Sequence, residues 1–105
     1  PHARARGEAA TGLHASRVQI RDMRSRWGSC TPKTGAIRLN LHLAPRPPEC
    51  LDYVIIHELT HLLVPGHGPA FRQAMDRFCP HWQEYRRLLF HFDARPLPPA
   101  PDHKV

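Results

Sequence analysis

Twelve prolines divide this 105-residue chain into short lengths, and their positions decide which elements it can hold. Proline fixes φ and lacks an amide hydrogen, so it suits the first turn of a helix and breaks helix interiors and central strands. Pro45, Pro47 and Pro48 close one segment, Pro65 with Gly66 closes the next, and Pro80 ends the one that Pro69 begins. Pro96, Pro98, Pro99 and Pro101 crowd the far end. One small domain of short elements follows, over 16–93, with 94–105 as a Pro-rich extended tail. Residues 1–15 carry Ala, Gly and Arg without periodicity and are expected to form a flexible lead-in.

Between the breaks, side-chain periodicity assigns the elements. Val18 and Ile20 alternate with polar neighbours over 17–23, and Ile37, Leu39, Leu41 and Leu43 alternate strictly over 37–43. Both are half-buried strand patterns, expected to pair antiparallel across a turn-rich connection at 24–36. From 49 to 64 the pattern is largely apolar, with Pro48 and Glu49 suited to a helix start and Pro65-Gly66 to its stop. A second helix is expected from Pro69, with Phe71, Ala74, Met75 and Phe78 on one face, and a third over 81–92, with Trp82, Tyr85, Leu88, Leu89 and Phe92 inward. The class is α+β, a small antiparallel sheet against three helices.

Charge and cysteine usage narrow the setting. Fifteen basic residues against nine acidic ones give +6, and thirteen of the fifteen are Arg. They are spread from Arg4 to Arg95, which reads first as a solvated surface and leaves DNA a weakly supported partner. No apolar run approaches the roughly 18 residues of a membrane span. Cys30, Cys50 and Cys79 are odd in number and lack C-x-x-C spacing, which favours reduced thiols and a cytoplasmic location. The chain opens on Pro1, not Met, as a piece of a longer protein would.

Nine histidines are an unusual load, and two of them are placed for chemistry. His57-Glu58-Leu59-Thr60-His61 sets two imidazoles four residues apart, so both leave the same helix face about one turn apart. That geometry lets two nitrogens share a tetrahedral Zn²⁺, with Glu58 beside it as general base toward a zinc-bound water. Three polar groups in an otherwise apolar helix would be costly without such a use. A catalytic zinc needs a third protein ligand. His67, just past the Pro65-Gly66 stop, is the natural choice, and Glu84 on the third helix is the rival. Trp27 and Asn40 are candidate substrate contacts, Trp27 as a wall of the cleft and Asn40 on the wet face of its strand. Each has a plain alternative, Trp27 as core and the Asn40 strand as ordinary sheet.

Arg24-Ser25-Arg26-Trp27-Gly28-Ser29-Cys30, Ile37-Arg38-Leu39-Asn40, the run from Leu51 through His57-Glu58-Leu59-Thr60-His61-Leu62, and His67-Gly68-Pro69-Ala70-Phe71 together resemble the YgjP-like metallopeptidase family. These are small zincins related to the SprT-like and WLM proteases. The resemblance covers roughly residues 20–92. It implies a zincin-like fold with a short sheet on the active-site helix, Zn²⁺ on His57, His61 and His67, Glu58 as catalytic base, and a peptide or protein substrate. Relatives in the wider group cleave DNA-crosslinked proteins, so a DNA-dependent protease is one alternative. A zinc-stabilised nucleic-acid- or protein-binding module without proteolytic activity is the other.

Overall fold

The computed structural model describes residues 2–91. Helix α1 spans His2–Thr11, strand β1 Arg17–Arg21, β2 Gly28–Thr31 and β3 Ala36–Asn40. A 3₁₀ turn at Leu41–Leu43 leads to helix α2, Pro48–His61, followed by α3, Pro69–Phe78, and α4, Trp82–His91. The expected tail at 94–105 and Phe92 lie outside the described residues.

The three helices read from the sequence begin on or near their prolines. Pro48 and Pro69 sit at the first turns of α2 and α3, where a missing amide hydrogen costs nothing. Helix α2 packs against α1, β2, β3, α3 and α4. It carries Tyr53, Val54, Ile55, Ile56 and Leu59 in the core, with Ile37 and Leu39 of the sheet on one side and Phe71, Met75 and Leu89 of the later helices on the other.

The sheet differs from the antiparallel pair expected. Its order is β1-β3-β2, and β1 runs parallel to β3 in the register Val18↔Ile37 and Ile20↔Leu39. The antiparallel partner of β3 is β2, joined to it by a tight turn in which Gly35, at φ +78°, occupies the left-handed region. Arg38 fastens the two strands, donating to the Ser29 and Thr31 hydroxyls at 2.8 Å each. Strand β3 is thus central, not an edge. The alternation over 37–43 also overreaches: the strand ends at Asn40, and Leu41 is left exposed in the 3₁₀ turn.

The lead-in expected at 1–15 differs too, because His2–Thr11 form α1 and pack on α2. The packing face is made of small residues, Ala3 and Gly7, so it has no apolar stripe to be read. A Cβ at Gly7 would stand 2.7 Å from Ile55 Cγ2, which shows how closely the helices approach. The Arg6 guanidinium pairs with Asp52 of α2 at 2.8 Å, and Glu8 accepts the Ala15 amide at 3.0 Å. No described helix is long and apolar enough to cross a membrane.

Candidate metal centre

His57 and His61 lie one turn apart on α2, and the chain then doubles back. Gly66, at φ +75°, permits the reversal that Pro65 initiates. His67 returns to the helix, and the three Nε2 atoms converge at 3.1 Å (His57–His61), 3.0 Å (His61–His67) and 3.3 Å (His67–His57). Hydrogen bonds do not explain this triangle. A ring nitrogen carries either a proton or a lone pair in its plane, so three Nε2 atoms cannot all donate to and accept from one another. A shared cation does explain it: two nitrogens each 2.0–2.1 Å from a tetrahedral ion stand about 3.3–3.4 Å apart. The donor set therefore fits a metal ion, and this is the group of metal-ligating side chains found among the described residues.

The surroundings favour the neutral form of His57 and His61, the form a ligating imidazole needs. Burial, reinforced by His61, His67 and Arg86, drives the His57 pKa well below the usual histidine range. Burial and His67 lower His61 as well, against a raising contribution from the Val64 carbonyl. That carbonyl accepts the His61 Nδ1–H at 3.3 Å, which leaves Nε2 bare for a metal. Buried Phe71 of α3 stacks on the His61 ring with centroids 4.4 Å apart and meets His57 edge-on at 4.8 Å. Asp52 pairs with Arg6, and Asp76 accepts the Trp82 indole N–H at 2.8 Å. Glu84, the rival ligand, stands outside the cluster, exposed beside His81.

Glu58 shares a cavity of about 250 Å³ with the three histidines, Arg26 and Cys30. Its residue is only 3% exposed, and burial pushes its pKa up to about 8 against the opposing pull of Arg26, a Cys30 hydrogen bond and Arg38. Room for the carboxylate comes from Gly28. A Cβ there would lie 2.8 Å from Val54 Cγ1 and 3.1 Å from Glu58 Oε2. Cys30 faces the carboxylate as a thiol, its own pKa pushed up to about 12 by burial and the Glu58 charge.

Two expected substrate contacts are corrected here. Trp27 is fully enclosed and packs in the core, with the Arg46 guanidinium 5.3 Å from its ring centroid. Asn40 is buried as well: its side-chain amide donates to the Met23 and Arg26 carbonyls at 2.9 and 2.8 Å, and its side-chain oxygen accepts the His42 amide at 3.0 Å. Neither side chain is exposed, so Trp27 is core and Asn40 does not lie on a wet face. Gly28 and its neighbours form strand β2 where the sequence suggested a turn. Their signal was the Gly-Ser-Cys run, legible as a turn but not as a strand lying over α2.

The sequence profile of the YgjP-like metallopeptidase domain matches residues 2–92. Among solved structures, the fold is similar to the metallopeptidase zymogen abylysin of Pyrococcus abyssi. The TM-score is 0.78 at 21% identity, over 91% of this chain and 96% of that one. The metallopeptidase zymogen jannalysin of Methanocaldococcus jannaschii gives a TM-score of 0.71 at 22% identity, over 86% of this chain and 92% of that one. At such identity the likeness concerns the fold. No curated protein sequence matches this chain.

Proposed function

The chain belongs to the YgjP-like metallopeptidase family, and from that premise we propose that His57, His61 and His67 hold one Zn²⁺ and that Glu58 is the general base for peptide-bond hydrolysis. The observation that carries this reading is the convergence of three Nε2 atoms within 3.0–3.3 Å of one another, in a cavity that also contains Glu58. When bound, the ion supplies Lewis acidity, polarising a peptide carbonyl and making a water easier to deprotonate. The chain's own residues do the rest. The imidazoles orient through Nε2, with His61 held by the Val64 carbonyl. Glu58 accepts the proton of the attacking water and returns it to the leaving amine. Burial raises its pKa in the metal-free chain, and the charge of a bound ion would lower it again, toward a carboxylate ready to accept a proton.

A peptide or protein is the substrate class that fits. The free thiols of Cys30, Cys50 and Cys79 are compatible with a reducing, cytoplasmic setting. The test is cleavage of a diverse peptide library by the zinc-loaded chain, read by mass spectrometry. Glu58→Gln is expected to lower the rate at least about 100-fold, the scale of a lost general base, while binding zinc with unchanged stoichiometry. His67→Ala is expected to weaken zinc binding beyond the roughly 10–100-fold typical of losing an outer partner of a ligand. Cleavage that persists in Glu58→Gln would remove the base assignment. Stoichiometric zinc on a chain that cleaves nothing would favour the binding-module alternative.

A further inference from the structure

The proposed reaction gives no part to Arg26, although this residue lines the same cavity as Glu58 and the three histidines. Buried Asn40 holds the backbone at Arg26 and Trp27. The Asn40 amide donates to the Arg26 carbonyl at 2.8 Å, and the Asn40 backbone N–H donates to the Trp27 carbonyl at 3.0 Å, next to an enclosed indole. The Arg26 side chain is exposed by contrast, and its guanidinium forms no hydrogen bond or ion pair among the described residues. Arg38 differs on this point, because its Nε–H and an Nη2–H are engaged by Ser29 and Thr31.

The charge around Arg26 gives its freedom a meaning. Among the described residues Glu58 is the single acidic side chain lining the cavity, it is buried, and Arg26 acts on it only through space. A cation bound by the histidines would leave the cavity net positive. A fixed-backbone guanidinium at such a site disfavours cationic ligands and favours a carboxylate, whose two oxygens match its planar fork.

We propose that Arg26 is a specificity residue that selects peptides carrying a carboxylate close to the scissile bond. The inference rests on the peptidase reading of the same cavity. The carboxylate belongs either to an Asp or Glu side chain or to the substrate's C-terminus, and the experiment separates the two.

Binding is measured by calorimetry on the full chain bearing Glu58→Gln, which leaves the probe peptides intact. The probes are alanine-based hexapeptides in matched pairs, Asp against Asn at each position, and a free against an amidated C-terminus. The acidic member of one pair is expected to bind about tenfold more tightly, the scale of one charge-assisted hydrogen bond. This advantage shrinks as salt rises and disappears when Arg26→Gln is added. The responding pair tells a side-chain carboxylate from a terminal one. Equal binding across every pair, or an acidic preference that survives Arg26→Gln, overturns the proposal. Kinetics of Arg26→Gln with Glu58 intact give a second arm, in which a fall in kcat/KM confined to acidic peptides is expected. An equal fall on neutral peptides would place Arg26 on the developing oxyanion instead and also overturn it. Charge-selective binding that Arg26→Gln abolishes, without cleavage by the zinc-loaded wild-type chain, would sink the peptidase reading and overturn the scissile-bond proposal with it, leaving only a carboxylate contact at Arg26, so the two failures are distinguishable.

Discussion

At the scale of single residues, the most informative group is Glu58. Burial holds its pKa at about 8, so between about 4.5 and 8 the folded state keeps a proton that the unfolded state has released. Stability of the metal-free chain therefore falls as pH rises through that window. His57 and His61 act in the opposite sense: their folded pKa values lie below 6.5, so they add stability as pH rises toward 6.5 and nothing further above it. The interval from about 6.5 to 8 thus isolates Glu58. Denaturant titrations of metal-free protein are expected to show about 1–2 kcal/mol lost across it, and Glu58→Gln is expected to remove the slope. A flat wild-type profile would mean that the carboxylate is already ionised in the folded state. Of the residues themselves, the His57-Glu58-x-x-His61 spacing was legible because one helical turn alone brings its members together. Trp27 and Asn40 were not, because whether a side chain is wet depends on what covers it, and alternation along one strand carries no record of a second layer.

At the scale of elements, the helices were legible and the strand pairings were not. Proline breaks and 3.6-residue periodicity place α2, α3 and α4 because both are local properties of the backbone. Strand period 2 assigns faces but not neighbours, and nothing in Val18 or Ile37 says that their strands run parallel. Strand β2 escaped notice because Gly28-Ser29-Cys30-Thr31 has no apolar alternation; it is held by β3 and by the cross-strand grip of Arg38. Helix α1 escaped for a related reason, since close approach through Ala3 and Gly7 leaves no hydrophobic stripe. The fit there can be tested directly. One Cβ at Gly7 already meets Ile55 Cγ2 at 2.7 Å, so Gly7→Val should overpack the α1–α2 contact and cost about 1–3 kcal/mol. Gly12→Ala provides the control for a merely glycine-related effect, because its φ of +72° is strained for alanine while no atom lies within 4 Å of the new Cβ. Destabilisation by Gly12→Ala with none by Gly7→Val, both read by chemical denaturation, would refute the packing of α1.

At the scale of the whole molecule, a core this small is marginal, and a ligand that binds only the folded state adds directly to its stability. The His cluster joins α2 to the segment before α3, so metal binding ties the central helix to the later ones. Zinc at a hundredfold excess over its Kd contributes about 2.7 kcal/mol, which for a domain of this size raises Tm on the order of 10–20 °C. Chelation should abolish the shift, and His57→Ala should be insensitive to zinc; a melting curve indifferent to both treatments would exclude the site. What the sequence determined by itself was whatever covalent geometry and short-range periodicity control: the helix breaks, the pairing of His57 with His61, Glu58 beside them, and His67 placed after a chain reversal. Only the tertiary structure decided the rest. It closed the third nitrogen onto the pair, withdrew Glu58 from water beneath Gly28, enclosed Trp27 and Asn40, and left Arg26 exposed at the cavity. Each of those outcomes depends on contacts between segments distant along the chain, whose meeting is set by the packing of the whole and not by any local pattern.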